Sequence, residues 1–177
     1  MDELMDVYTR DGKYIGVKLR SECHSENPGF YHKPVWIWII NDDNKILVQK
    51  RASIKKSFPN YWDTPSAGHV KSGETSIKGA IRETKEELGI DTSEKDYEFV
   101  CEYISDTTWE LGQVYIIKIN IELNDIILQE DEVDEVKWLS LAEFKELLYS
   151  EKFIPYDLEY KNMVFGFLKK KLGERYE

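Results

Sequence analysis

The chain is poor in cysteine, in positive charge and in long apolar runs. Its two cysteines, Cys23 and Cys101, lie far apart with no CxxC pair, so neither a zinc site nor a disulfide framework is suggested. Lysine and arginine number 24 against 34 acidic residues, a net charge of −10, whereas a general nucleic-acid backbone binder needs a basic face. No apolar stretch reaches the length of a membrane span, and the opening MDELMDVYTRDG has neither a basic start nor an apolar core. These absences predict a cytoplasmic protein with reduced thiols, bound neither to nucleic acid nor to membrane. Repeats, low-complexity runs and linkers are missing too. With 177 residues, 41% of them hydrophobic, the expectation is one domain: residues 1–33 a hairpin and wrap, 34–149 the core, 150–177 a C-terminal helix. Monomer and homodimer both remain open.

What the chain does have is concentrated in GHVKSGETSIKGAIRETKEELGI, from Gly68 to Ile90. Thr75 to Leu88 carries Ile77, Ala80, Ile81, Thr84 and Leu88 at helical spacing, and Gly89 supplies a left-handed stop. On such a helix Glu83, Glu86 and Glu87 fall within an arc of about 100° beside the apolar stripe, sharing one patch of surface. Like charges at this spacing repel, so the cluster asks for a cation. Arg82 and Lys85 are partial candidates, and a hard divalent ion such as Mg²⁺ is a better one. The carbonyl of Gly68 is free to approach the same ion. Lys71, Ser72 and Gly73 offer backbone donors near the helix start.

The spacing runs Gly68, five residues, Glu74, seven residues, Arg82-Glu83, two residues, Glu86-Glu87, one residue, Gly89-Ile90. At ordinary residue frequencies such a pattern arises by accident on the order of once in a million chains of this size. It resembles the signature box of the Nudix hydrolases, with every charged and glycine position filled. Thr84 stands where that pattern has an aliphatic residue, which reads as a packing variation.

Around the box, Leu4 to Leu19 reads as a hairpin turning at Asp11-Gly12, and Ser21 to Pro34 as an irregular wrap. VWIWII and KILVQK form a hairpin around Asn41 to Asn44. The basic residues Lys50, Arg51, Lys55 and Lys56 are either a solvated loop or a phosphate clamp, Arg51 having the fork suited to two oxygens. Strands are expected through Ala67, at Tyr97 to Ser105, Val114 to Leu123 and Asp134 to Leu139. A loop from Asp106 to Gln113 carries Trp109 and Glu110. Helices are expected at Leu141 to Tyr149 and Leu158 to Leu172. Phe58, Tyr61, Trp62 and Trp109 either stack a base or belong to the core. The order of elements argues an α/β sandwich around a mixed sheet.

The segments YHKPVWIWIINDDNKILVQKR, FPNYWDTPSAGHVKSGE and LQEDEVDEVKWLSLAEF extend the resemblance to the Nudix branch related to type I isopentenyl-diphosphate isomerase. It implies the α/β/α sandwich of that family and an Mg²⁺- or Mn²⁺-dependent cleavage of a diphosphate. It also implies the roles: Gly68, Glu86 and Glu87 as metal ligands, Glu83 as a further ligand or the base, and Arg82 orienting it. Glu74 would tie loop to helix. Arg51, Lys50 and Trp109 are the expected substrate contacts, with Glu110, Glu130 and Glu132 candidates for an extra base. The isomerase needs a cysteine before the box glycine and a glutamate after the helix, but Ala67 and Gln113 stand there. His24, His32 and His69 sit where its metal-binding histidines fall, without the expected carboxylates, Leu111 and Gln113 taking their places. A domain that binds a nucleotide without turnover is the remaining alternative.

Overall fold

The computed structural model describes residues 2–173; the end of the predicted C-terminal tail, 174–177, lies outside them. The sheet is organised on β3 (Pro34–Ile40), every residue of which is buried. Side chains alternate across a strand, so its continuous apolar sequence serves two cores at once. Trp36, Trp38 and Ile40 pack with Phe144, Leu148, Tyr160, Val164 and Leu168 on one face. Val35, Ile37 and Ile39 pack with Ala80, Leu88 and Ile90 on the other.

Around β3 the sheet is mixed. β4 (Ile46–Arg51) and β6 (Ser66–His69) run antiparallel to it, while β8 (Glu110–Lys118) runs parallel. β5 (Trp62–Asp63) and β9 (Val133–Leu139) pair with β4, and β7 (Tyr97–Ser105) with β8. α2 (Ser76–Leu88) covers one face, and α3 (Leu141–Leu148) with α4 (Leu158–Lys171) the other. This is the α/β/α sandwich read from the sequence.

The N-terminal hairpin, β1 (Leu4–Tyr8) and β2 (Tyr14–Leu19), forms its own two-stranded sheet. It is fastened to the box, since Ser72 N–H donates to the Leu4 carbonyl and Gly73 N–H to the Asp6 carboxylate. Lys71 N–H donates to Glu74. The three amides expected to receive an anion are therefore occupied.

Three other expectations are corrected. The wrap opens with a short helix, α1 (Arg20–Cys23), whose buried Cys23 packs against Met5 and Val7. The stretch from Trp62 through Ala67 is two short strands with different partners. β8 begins at Glu110 and ends at Lys118, so the loop before it covers only 106–109. Glu-Leu-Gly-Gln does not look like a strand, yet Glu110 to Gln113 pair with Ser105 to Glu102. Gly112 is needed there because a Cβ would strike the Trp36 ring.

Candidate active site

The helix α2 brings the box carboxylates to one end of the sheet. Its N-cap is Thr75, and Gly89 ends it at φ 68°, where a Cβ would press on Ile127. The three carboxylates line one cleft at different depths rather than lying together on an open surface. Glu86 is 48% exposed and Glu83 14% as side chains, whereas Glu87 is 6% exposed and belongs to the buried face with Ala80, Thr84 and Leu88. At 100° per residue Glu87 stands only one step beyond the apolar stripe, close enough to be drawn under β6.

Arg82 is the hub. Its Nε and Nη2 donate to the two oxygens of Glu74, each at 3.0 Å, and Nη1 reaches Glu83 at 2.6 Å and Glu86 at 3.1 Å. Nη2 also donates to the His69 carbonyl at 2.8 Å, which joins the helix to the end of β6. Burial would lower the Arg82 pKa, but hydrogen bonds and charge from Glu74 and Glu83 raise it instead. Glu83 lies against Gly68, where any Cβ would collide with its carboxylate, so the box glycine makes room for the acid.

Burial raises the Glu83 pKa despite the neighbouring Arg82. Glu87 goes further, to about 8, through burial and then the charge of Glu83. Its Oε2 accepts one hydrogen bond, from Ala67 N–H at 3.0 Å. A set of hard oxygen donors with more negative charge than Arg82 neutralises fits a divalent cation.

These residues line a cleft of about 1020 Å³ together with Arg51, Lys55, Lys56, Asp63, Glu110 and Glu132. Its aromatic lining is Trp36, Phe58, Tyr103, Tyr156 and Tyr160. Of the expected substrate contacts, Arg51 is in place. Lys50 is not: neighbours on a strand point to opposite sides, and it lines a separate groove with Trp62 and Lys137. Trp109 is also elsewhere, its ring packed on Tyr31 at 5.3 Å. The aromatic residues missed in the sequence come from β3, β7, α4 and the segment leading into it, where core and cleft lining have the same pattern. Lys55 is ion-paired with Glu132. Of the candidate extra bases, Glu110 and Glu132 line this cleft and Glu130 does not.

The three histidines do converge. Their ligand nitrogens all lie within 4.8 Å of one another, and His24 Nε2 stands 2.9 Å from His69 Nε2. Among the described residues neither ring nitrogen of the buried His32 has a hydrogen-bond partner, and Glu110 Oε1 lies 3.5 Å from Nε2. Burial and the nearby His32 lower the pKa of His24 and of His69, favouring the neutral imidazoles that bind metals. A carboxylate from Glu110, rather than from position 111 or 113, approaches this cluster.

The family model of the NUDIX domain matches residues 30–157. The chain belongs to the Nudix family. It is 36% identical to Nudix hydrolase 3 of Arabidopsis thaliana over 171 residues, covering 89% of this chain and 22% of that longer protein. An isopentenyl-diphosphate Delta-isomerase of Cutibacterium acnes is 27% identical over 159 residues, covering 84% of this chain and 79% of the isomerase. Among solved structures, DR0079 from Deinococcus radiodurans superposes with a TM-score of 0.73 at 21% identity, covering 90% of this chain and 98% of that one. The Nudix box thus has its expected scaffold. Among the described residues no helix is long and apolar enough to cross a membrane.

Proposed function

We propose that this Nudix domain is a divalent-metal-dependent hydrolase that cleaves a diphosphate linkage in a nucleoside di- or triphosphate or a nucleotide-linked diphosphate. The observation that carries this reading is that Glu83 and Glu86, both held by Arg82, line one cleft with Glu87, Gly68 and Arg51. Glu86 and Glu87, with the Gly68 carbonyl, would hold Mg²⁺ or Mn²⁺, leaving Glu83 as the base. Bound there, the ion supplies charge neutralisation on the phosphate oxygens and acidifies water.

The chain's own residues supply the rest. Arg82 fixes Glu83 through Oε1, leaving Oε2 to take a proton from the attacking water. Arg51 gives a planar fork for phosphate oxygens, and Lys56 adds positive charge to the same cleft. Water attacks one phosphorus in line, and the bond to the bridging oxygen breaks. Trp36, Tyr103 and Phe58 offer apolar surface to the organic half of the substrate.

A second reading, isopentenyl-diphosphate isomerase, is favoured by the convergence of His24, His32 and His69, which fit a second metal. Against it, Ala67 has no proton to give, and the Gln113 amide donates to Glu102 at 2.6 Å and to the Leu111 carbonyl at 3.0 Å. The test is phosphate release from a panel of nucleotides, nucleotide sugars and isopentenyl diphosphate, with Mg²⁺ and with chelator. Chelator-sensitive release from one compound class is expected. Isomer formation without release would replace the hydrolase reading with the second, and tight binding without turnover would replace both.

A further inference from the structure

Asp63 is an acid that the proposed chemistry leaves unused, and its place is costly. It is 3% exposed, lines the cleft, and stands near enough to Glu87 to raise the pKa of that acid. A buried negative charge in a site for anionic substrates works against binding unless it serves another group.

The group it serves is Arg51. Three donors from three segments meet on the Asp63 carboxylate: Thr64 N–H and the Tyr156 hydroxyl on Oδ1, each at 2.7 Å, and Arg51 Nη1 on Oδ2 at 3.4 Å. Arg51 Nη2 donates to the Ser57 carbonyl at 3.1 Å. The β4–β9 register shifts between Lys50 and Arg51, with Asp134 the extra residue on β9, so the pairing loosens beside Arg51. Asp63 pairs with Gln49 across β5 and β4, which makes Arg51 its diagonal neighbour on the same face. Tyr156 lies in a segment pinned beside β5, since Trp62 N–H donates to the Lys152 carbonyl and Ile154 N–H to the Trp62 carbonyl.

We infer that Asp63, itself held by Tyr156, is a positioning residue that aims the Arg51 guanidinium at the diphosphate. This rests on the diphosphate reading of the cleft. The aim of the clamp then depends on the segment entering α4, far from the box in sequence.

The test is calorimetric titration of the whole chain with methylenediphosphonate in Mg²⁺ buffer, for wild type, Asp63→Asn, Tyr156→Phe, Arg51→Lys and the Asp63→Asn/Arg51→Lys double variant. Positioning predicts that Asp63→Asn weakens binding about tenfold, as loss of a fixed charge-assisted contact does. Tyr156→Phe should weaken it in the same direction, and the double variant should be no weaker than Arg51→Lys alone. In turnover, KM should rise with kcat kept. Affinity unchanged or tightened in Asp63→Asn, with its melting temperature lowered or not, overturns the inference, as does additivity in the double variant. A wild type that binds but hydrolyses nothing sinks the hydrolase reading, while the affinities still decide the role of Asp63. Hydrolysis by wild type with an unchanged KM in Asp63→Asn sinks the inference alone.

Discussion

The backbone N–H of Ala67 donates to Glu87 Oε2 at 3.0 Å, so the residue before the box glycine holds the most buried acid of the box. An alanine there contributes its amide alone. A metal-free protein must carry Glu87 either protonated or as a buried charge, and this sets a pH dependence. Its folded pKa of about 8 lies above the ordinary carboxylate value, so the folded state holds a proton that the unfolded chain has released. The stability contributed by Glu87 therefore falls as pH rises from about 4.5 to about 8, while His24 and His69, whose folded pKa values are lowered, add stability as pH rises toward the ordinary histidine value. Thermal melts in chelator should show wild type losing more stability across that window than Glu87→Gln does, with the wild-type loss removed by Mg²⁺. The same pH dependence of melting in wild type and Glu87→Gln would contradict it.

Gly68→Ala should remove activity without unfolding the chain. Its Cβ would occupy the space of the Glu83 carboxylate, which must swing away from Arg82. A displacement on the order of 1 Å at a reacting group costs about a hundredfold in rate. Turnover measured beside a melt checks this, and full activity would mean that Glu83 is not required where it stands.

Thr84, the box position without an aliphatic residue, is fully buried, and its hydroxyl accepts from Tyr97 at 2.9 Å. The Tyr97 hydroxyl also lies 2.8 Å from Thr92 Oγ1. Thr84→Val should thus cost only about 1 kcal/mol, the net value of a single hydrogen bond, with kcat unchanged. Denaturant unfolding measures the first and turnover the second; a loss of activity would give Thr84 a part in the chemistry.

Thr84 also marks what the sequence makes legible. Residues that follow a period, such as the alternating faces of β3 and the stripe of α2, can be read from the order of amino acids alone, and so can spacing that fixes chemistry, as at Arg82 and Glu83. Contacts between distant segments cannot. Nothing in the sequence signals that Tyr97 would satisfy Thr84, that Tyr156 would reach Asp63, or that Trp36 would lie over Gly112. Lys50 and Trp109 fall outside the cleft for a related reason: charge and aromaticity suit a binding site, but strand alternation and a tyrosine neighbour decide where they point.

Arg10 and Asp106 tie the turn of the N-terminal hairpin to the loop before β8 through two hydrogen bonds, at 2.8 and 2.9 Å. These, with the Tyr31 hydroxyl, hold the Asp106 pKa at about 2. The stability contributed by this pair is present above the ordinary aspartate value and is lost as pH falls toward 2. Carboxyl titration followed by NMR should place Asp106 there and show it rising in Arg10→Ala. An unchanged pKa in that variant would mean that the ion pair does not persist in solution.

A metal held by the box is tested most directly by turnover of wild type and Glu87→Gln at saturating Mg²⁺, on whichever diphosphate the wild type cleaves fastest. The substitution keeps the shape and the acceptor for Ala67 N–H while removing the charge. A loss of at least about a hundredfold in kcat is expected, with circular dichroism unchanged. Activity within a few-fold of wild type would contradict it, and would place the metal, or the chemistry, away from the box.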